Sequence, residues 1–289
     1  MRIANLANRA VLVVDGEGGT TAVDVDEASA GRFGPAPRAV FEEWDAFTEW
    51  AASADLGDGR PFDPAELGAP VPDPRQVFAI GLNYRDHADE ANLEHPEHLV
   101  VFTKFASSLA GPNVTVTLPS DKVDYEIELV VVIGREVHDA DLDASRQAIA
   151  GYAVGQDYSE RAVQLRGPAP QFSLGKSYPN FAPFGPAVVT EDELDDPGKL
   201  RLTAVLEGPG ADGAPSVTLQ SGTTADLIFP VEQIISDLSR IVTLYPGDVI
   251  FTGTPAGVGG PRGLFLKAGD VLTSTIEGVG SMTNRFVSP

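Results

Sequence analysis

One short stretch constrains the fold more than any other. Leu129-Val130-Val131-Val132-Ile133 is an unbroken run of β-branched residues and leucine closed by Gly134, the pattern of a buried strand. Just before it stand Glu126 and Glu128. Side chains two apart on a strand share a face, so both carboxylates aim at one spot and repel unless a cation lies between them. A hard divalent ion such as Mg²⁺ or Mn²⁺ suits oxygen ligands and leaves positions for water or substrate. Asp157, delivered by the alternating stretch Gly151 to Gln156, is the candidate third ligand. The plainer alternative is a solvated strand edge with Asp157 capping the next turn, an ordinary arrangement in a chain with 42 acidic residues. With no Cys and four His, a thiolate site is excluded and a His-rich zinc site disfavoured.

The 289 residues suffice for one large domain or a main domain with a smaller partner. A formal charge of −22 argues against nucleic acid, which needs a concentrated basic surface. No stretch of ~18 apolar residues offers a membrane span. The first nine residues lack the apolar core of a signal peptide, so a cytoplasmic location is expected.

Residues 1–73 read as a small N-terminal α/β subdomain with a linker, and 74–289 as the main domain. Ala10 to Val14 and Thr21 to Val25 flank Asp15-Gly16-Glu17-Gly18-Gly19, a hairpin signature. A helix is expected over 38–52, where Val40, Phe41, Trp44, Phe47 and Trp50 recur at three or four. Pro61 to Pro74 reads as a surface linker. Beyond Gln76, short strands punctuated by Gly and Pro predominate, with helices expected at 142–149, 159–165 and 230–240. This is an α+β, β-rich pattern, not a doubly wound α/β sheet.

Several polar groups can do chemistry. His87 and Glu90 are three apart and share a helical face, so Glu90 could poise His87 as a general base; a solvent-exposed His is the alternative. His95, His98 and His138 lie among charged loop residues and read as surface. Lys176, one of five lysines, stands in an apolar stretch where it could hold a carboxylate or a developing enolate, or pack on Phe with its ammonium in water. Arg161 and Gln164 form an i,i+3 pair just after Asp157. The turn Thr252 to Gly259 could grip a carboxylate through backbone N–H groups, including Gly253, and the Thr254 hydroxyl. It lacks the Gly-Lys-Ser/Thr ending of a phosphate loop.

Taken in order, these segments resemble the fumarylacetoacetate hydrolase family over about 76–289. The matches are Gly-Leu-Asn-Tyr-x-x-His at 81–87, Asp-Tyr-Glu-Ile-Glu-Leu at 124–129 and Gly-Tyr-x-Val-x-x-Asp at 151–157. Gly-Lys-Ser at 175–177, Phe-Gly-Pro at 184–186 and Thr-Gly-Thr-Pro-x-Gly-Val-Gly at 252–259 complete them. The resemblance implies a mixed β-roll catalytic domain, a homodimer, and Mg²⁺ or Mn²⁺ on Glu126, Glu128 and Asp157. It implies a water-activating dyad of His87 with Glu90 on a segment closing over substrate. Tyr84, Arg161, Gln164, Lys176, Gly253 and Thr254 become candidate substrate contacts. The expected reaction is hydrolysis of a carbon–carbon bond in a 2,4-dioxo acid; decarboxylation or keto–enol isomerisation of a 2-oxo dicarboxylate is the alternative, and a non-catalytic ligand-binding protein a third. Two positions depart from the pattern: Pro179-Asn180 and Ala162 stand where many members carry acidic residues, and both bear on the substrate subclass.

Overall fold

The computed structural model describes residues 1–16 and 19–289; the expected hairpin turn at Glu17-Gly18 lies outside the described residues. Its principal strands are β1 (Arg2–Leu6), β2 (Arg9–Gly16), β3 (Gly19–Asp24), β4 (Val77–Gly81), β5 (Val100–Thr103), β6 (Thr115–Thr117) and β7 (Ile127–Ile133). They continue with β8 (Ile149–Gln156), β9 (Ala182–Val189), β10 (Arg201–Glu207), β11 (Val217–Thr223), β12 (Val249–Phe251), β13 (Val271–Ile276) and β14 (Gly280–Val287). Among the described residues, an eleven-stranded sheet has the path β3-β2-β1-β9-β8-β7-β12-β4-β5, with the two-residue strands Leu67–Gly68 and Leu109–Ala110 pairing off it with β1 and β9, and a five-stranded sheet runs β11-β10-β13-β14-β6. Pairing is mostly antiparallel; β12 with β4 and β14 with β6 are parallel.

The apolar run sets the layers. Every residue of β7 is buried. Ile127, Leu129, Val131 and Ile133 enter one hydrophobic core, while Val130 and Val132 enter another. A strand buried on both faces has no place for alternating polar residues, hence the unbroken run. The first core also takes Leu202, Leu206, Leu272 and Phe286 of the second sheet. It further takes Val231, Ile234, Ile235 and Leu238 of the helix Val231–Ser239.

The second core is where the N-terminal residues go. Phe33, Phe41, Trp44 and Phe47 pack with Val130, Val132, Val249 and Phe251, and β1 pairs with β9 through Arg2↔Val189 and Ile3↔Val188. Residues 1–73 therefore extend the main sheet and share its core rather than standing apart. The expected surface linker is likewise partly internal, because Leu67, Ala69 and Val71 are buried. The helix expected over 38–52 is two pieces, Ala39–Glu42 and Trp44–Ser53, broken at Glu43 (φ −121°, ψ 41°). The break accompanies stacking of Phe41 on Trp44, ring centroids 5.7 Å apart. The helix expected at 142–149 ends at Gln147, where β8 soon takes over. That expected at 159–165 is a short bridge followed by the single turn Arg161–Gln164. No helix of the described residues is long and apolar enough to cross a membrane.

Candidate active site

Strand register builds the acidic centre. Ile127 of β7 lies opposite Gln156 of β8, which sets Asp157 beside Glu126; the Asp157 N–H donates to the Glu126 carbonyl at 2.9 Å. Glu128, two residues on, shares the face of Glu126 as strand geometry requires. Carboxylate oxygens of Glu126, Glu128 and Asp157 all lie within 4.8 Å of one another, and all three residues are buried.

Side-chain amides hold the backbone at this point. The Glu126 N–H donates to Gln156 Oε1 and the Ile127 N–H to Gln220 Oε1, both at 2.9 Å. Gln220 Nε2 donates in turn to Thr254 Oγ1 and the Pro255 carbonyl. Each buried donor thus finds an acceptor, which a buried polar centre needs to remain ordered. The turn after β12 closes over the strand end: the Gly253 N–H donates to Glu128 Oε2 at 2.8 Å. Gly253 has φ +104°, and a Cβ there would fall 2.8 Å from Asn83 Cβ. Only glycine fits that approach.

Three buried or half-buried cations face the carboxylates. Lys176 Nζ donates to Glu126 Oε2 and Asp157 Oδ2, each at 2.6 Å. Arg161 reaches Glu126 Oε1 at 2.7 Å, Asp124 Oδ2 at 2.6 Å and Gln164 Oε1 at 2.8 Å. Lys104 pairs with Asp157 and donates to the Lys176 carbonyl. Burial opposes ionisation of Glu126, but Lys176 and Arg161 outweigh it and hold its carboxyl at about 2. Glu128 goes the other way: burial, then Asp157 and Glu126, push it well above the usual carboxylate range. Burial opposes the charge on Lys176, yet Asp157 and Glu126 raise it; for Lys104 burial prevails over Asp157 and lowers it.

A cavity of about 540 Å³ opens on this centre, lined by His87, Glu126, Glu128, Arg161, Gln164, Lys176 and Thr254 together with an apolar wall. A larger cavity of about 750 Å³ in the N-terminal part is lined by Arg9, Asp24 and Arg60 among others. Its Arg9 is bonded to Asp24 and its Arg60 to Glu27, and among the described residues no group of three converging carboxylates lies there. The convergent carboxylates lie at the smaller cavity.

The model of the fumarylacetoacetate (FAA) hydrolase C-terminal domain matches residues 76–287. The chain belongs to the fumarylacetoacetate hydrolase family. It is 41% identical over 223 residues to human "Oxaloacetate tautomerase FAHD2A, mitochondrial", covering 76% of this chain and 68% of the relative. It is 42% identical over 239 residues to "2,4-didehydro-3-deoxy-L-rhamnonate hydrolase" of Sphingomonas sp. (strain SKA58), covering 81% and 79%. A solved structure from Mycobacterium smegmatis, described as a candidate HpcE protein, superposes with a TM-score of 0.91 at 51% identity, covering 100% of this chain and 99% of that one.

Within this family member the expected residues divide. His87, Glu126, Glu128, Arg161, Gln164, Lys176 and Thr254 line one cavity, with Asp157 at its carboxylate centre. Glu90 does not bond to His87: its Oε2 accepts the Gly257 N–H at 2.8 Å, and His87 Nδ1 is buried without a partner among the described residues. The His87–Glu90 dyad is therefore not assembled, because a backbone donor holds the carboxylate. Tyr84 is fully buried in the first core and does not line the cavity. The Gly253 N–H is committed to Glu128, and the Thr254 hydroxyl donates to the Ile127 carbonyl at 2.8 Å, so neither group is open to substrate. Lys176 is clamped between two carboxylates rather than packed with its ammonium in water. His95 has a partner after all, Asp89 at 2.9 Å, though both are exposed.

Sequence reasoning missed Lys104, Asp124 and Gln220. Asp124 is wholly buried and accepts from the Gly259 and Gly260 N–H groups at 2.7 and 2.8 Å as well as from Arg161. Its place in the Asp-Tyr-Glu-Ile-Glu-Leu segment was a signal. So was the scarcity of lysine, which applied to Lys104 as much as to Lys176.

Proposed function

We propose that this chain catalyses proton transfer on a 2-oxo acid, a keto–enol tautomerisation or isomerisation, with Mg²⁺ or Mn²⁺ held by Glu126, Glu128 and Asp157. The donor set fits such an ion: three buried carboxylates converge, and even with Lys104, Lys176 and Arg161 beside them Glu128 is held far above its usual range. Burial is the largest cause, followed by the Asp157 and Glu126 carboxylates, and a cation among the three would offset the second of these. When bound, the ion supplies Lewis acidity toward the carbonyl of the 2-oxo acid.

One observation carries the reading. Among the titratable side chains lining the cavity, His87 is the one without a hydrogen-bond partner. Burial, the largest influence, pushes its pKa below the ordinary 6.5, so the ring is neutral near pH 7 and can accept a proton. In this reading His87 takes the proton from C3, the electron pair becomes the C2–C3 double bond, and the proton returns to the enolate or to another carbon. Lys176 and Arg161 offset the enolate charge. Gln164 lines the cavity and its Nε2 has no protein partner among the described residues; in this reading it donates to the substrate carboxylate. The apolar wall excludes water. A homodimer belongs to the same proposal.

Hydrolysis of a carbon–carbon bond is the second reading, supported by Glu90 lying on the same short helix as His87, Arg85–Glu90, where release from Gly257 would free it to pair. The two separate in D₂O with a 2,4-dioxo acid and Mg²⁺: proton transfer accelerates deuterium entry at C3 over the protein-free rate with the carbon skeleton intact, whereas hydrolysis yields two fragments. His87→Gln is expected to slow exchange at least ~100-fold without releasing the ion. Exchange at the wild-type rate in that variant would remove His87 from the reaction.

A further inference from the structure

The wall of the cavity beyond the carboxylates carries no free cation. Leu93, Val100, Phe102, Leu165, Phe172 and Phe265 form it, with the Phe102 and Phe172 rings edge-on at 5.6 Å. The cations that line the cavity are Arg161 and Lys176, both already bound to Glu126. Lys122 lies over the Phe265 ring at 4.8 Å, and Arg166 follows Leu165, yet neither lines the cavity. Arg262 donates from Nη1 to the Leu219 and Gly257 carbonyls and does not line the cavity. Of the segment Leu93 to Leu99, Leu93 lines the cavity; the rest brings Glu94, His95, Glu97 and His98 and no Lys or Arg. Leu93 and Leu165 are 50% and 57% exposed on the rim, apolar surface that a ligand tail would cover.

We propose that the substrate is a 2-oxo acid with an uncharged, apolar tail, and that Leu93, Phe102, Leu165 and Phe172 enforce this choice. The inference rests on the 2-oxo acid reading above and narrows it. A second carboxylate at the tail would lose its water with no cation to replace it. An alkyl or aryl tail would instead bury apolar area against apolar wall.

Two six-carbon probes differ only at the far end: 2-oxohexanoate ends in methyl and 2-oxoadipate in carboxylate. Calorimetric titration of each into the full-length, Mg²⁺-loaded protein reads tail preference without turnover. At least ~100-fold tighter binding of 2-oxohexanoate is expected. Leu165→Arg, a change on the exposed rim, is expected to cut that ratio at least ~10-fold by pairing the second carboxylate. Equal or tighter binding of 2-oxoadipate by the wild type overturns the proposal, and so does binding of neither probe. Deuterium exchange at C3, measured in parallel, reports on the reaction class alone, so tight 2-oxohexanoate binding without exchange would sink the proton-transfer reading and leave the tail preference standing.

Discussion

His87 sets the pH behaviour of the site. Burial disfavours its charged form; Glu126 opposes that effect and Arg161 and Lys176 reinforce it, leaving the pKa below 6.5. A depressed imidazole is neutral above its pKa, so a reaction that needs the free base is at full rate from neutral pH upward and fails on the acid side. A bound dication pushes in the same direction. The acid limb of kcat/KM is therefore expected below pH 6.5, and a limb above it would contradict His87 as the base. Lys104 answers to a different measurement. It is buried and holds both Asp157 and the Lys176 carbonyl, so Lys104→Met leaves buried Asp157 with Lys176 as its one remaining cation. A loss of about 1.5–3 kcal/mol in denaturant unfolding is expected; a loss under about 1 kcal/mol would show the pair to be idle.

At the scale of elements, the turn from Thr252 to Gly260 joins the parts of the site. Gly253 serves Glu128, Gly257 serves Glu90, and Gly259 and Gly260 serve Asp124, each through its backbone N–H. Gly253→Ala meets both a positive φ and the Asn83 side chain, and should lower stability by about 1–3 kcal/mol, visible as a shifted unfolding midpoint. Glu90→Ala releases the helix Arg85–Glu90 from the turn. Amide exchange over that helix is then expected to quicken while the unfolding midpoint moves little; unchanged exchange would mean that the bond to Gly257 does not restrain it.

The whole molecule shows what a chain discloses before folding and what it withholds. The central strand and its three carboxylates were legible because strand periodicity and ligand chemistry are both local: Glu126 and Glu128 are two apart, and Asp157 ends the neighbouring strand. Lys104 and Gln220 were not, since their roles come from contacts across 53 residues to Asp157 and 93 residues to Ile127. The Glu90 hydrogen bond misled for the same reason, as a Gly257 N–H brought from 167 residues away took the place that helical spacing offered to His87. The N-terminal hairpin was visible in its Gly-rich turn, while its union with the main sheet depends on β9, nearly two hundred residues distant.

The proposed reaction requires one divalent ion shared by Glu126, Glu128 and Asp157. Titration of Mn²⁺ into chelator-treated protein, followed by electron paramagnetic resonance, counts that ion directly. One Mn²⁺ per chain is expected in the wild type, with affinity at least ~100-fold weaker in Glu128→Gln. Unaltered Mn²⁺ binding in that variant, or none in the wild type, would contradict it.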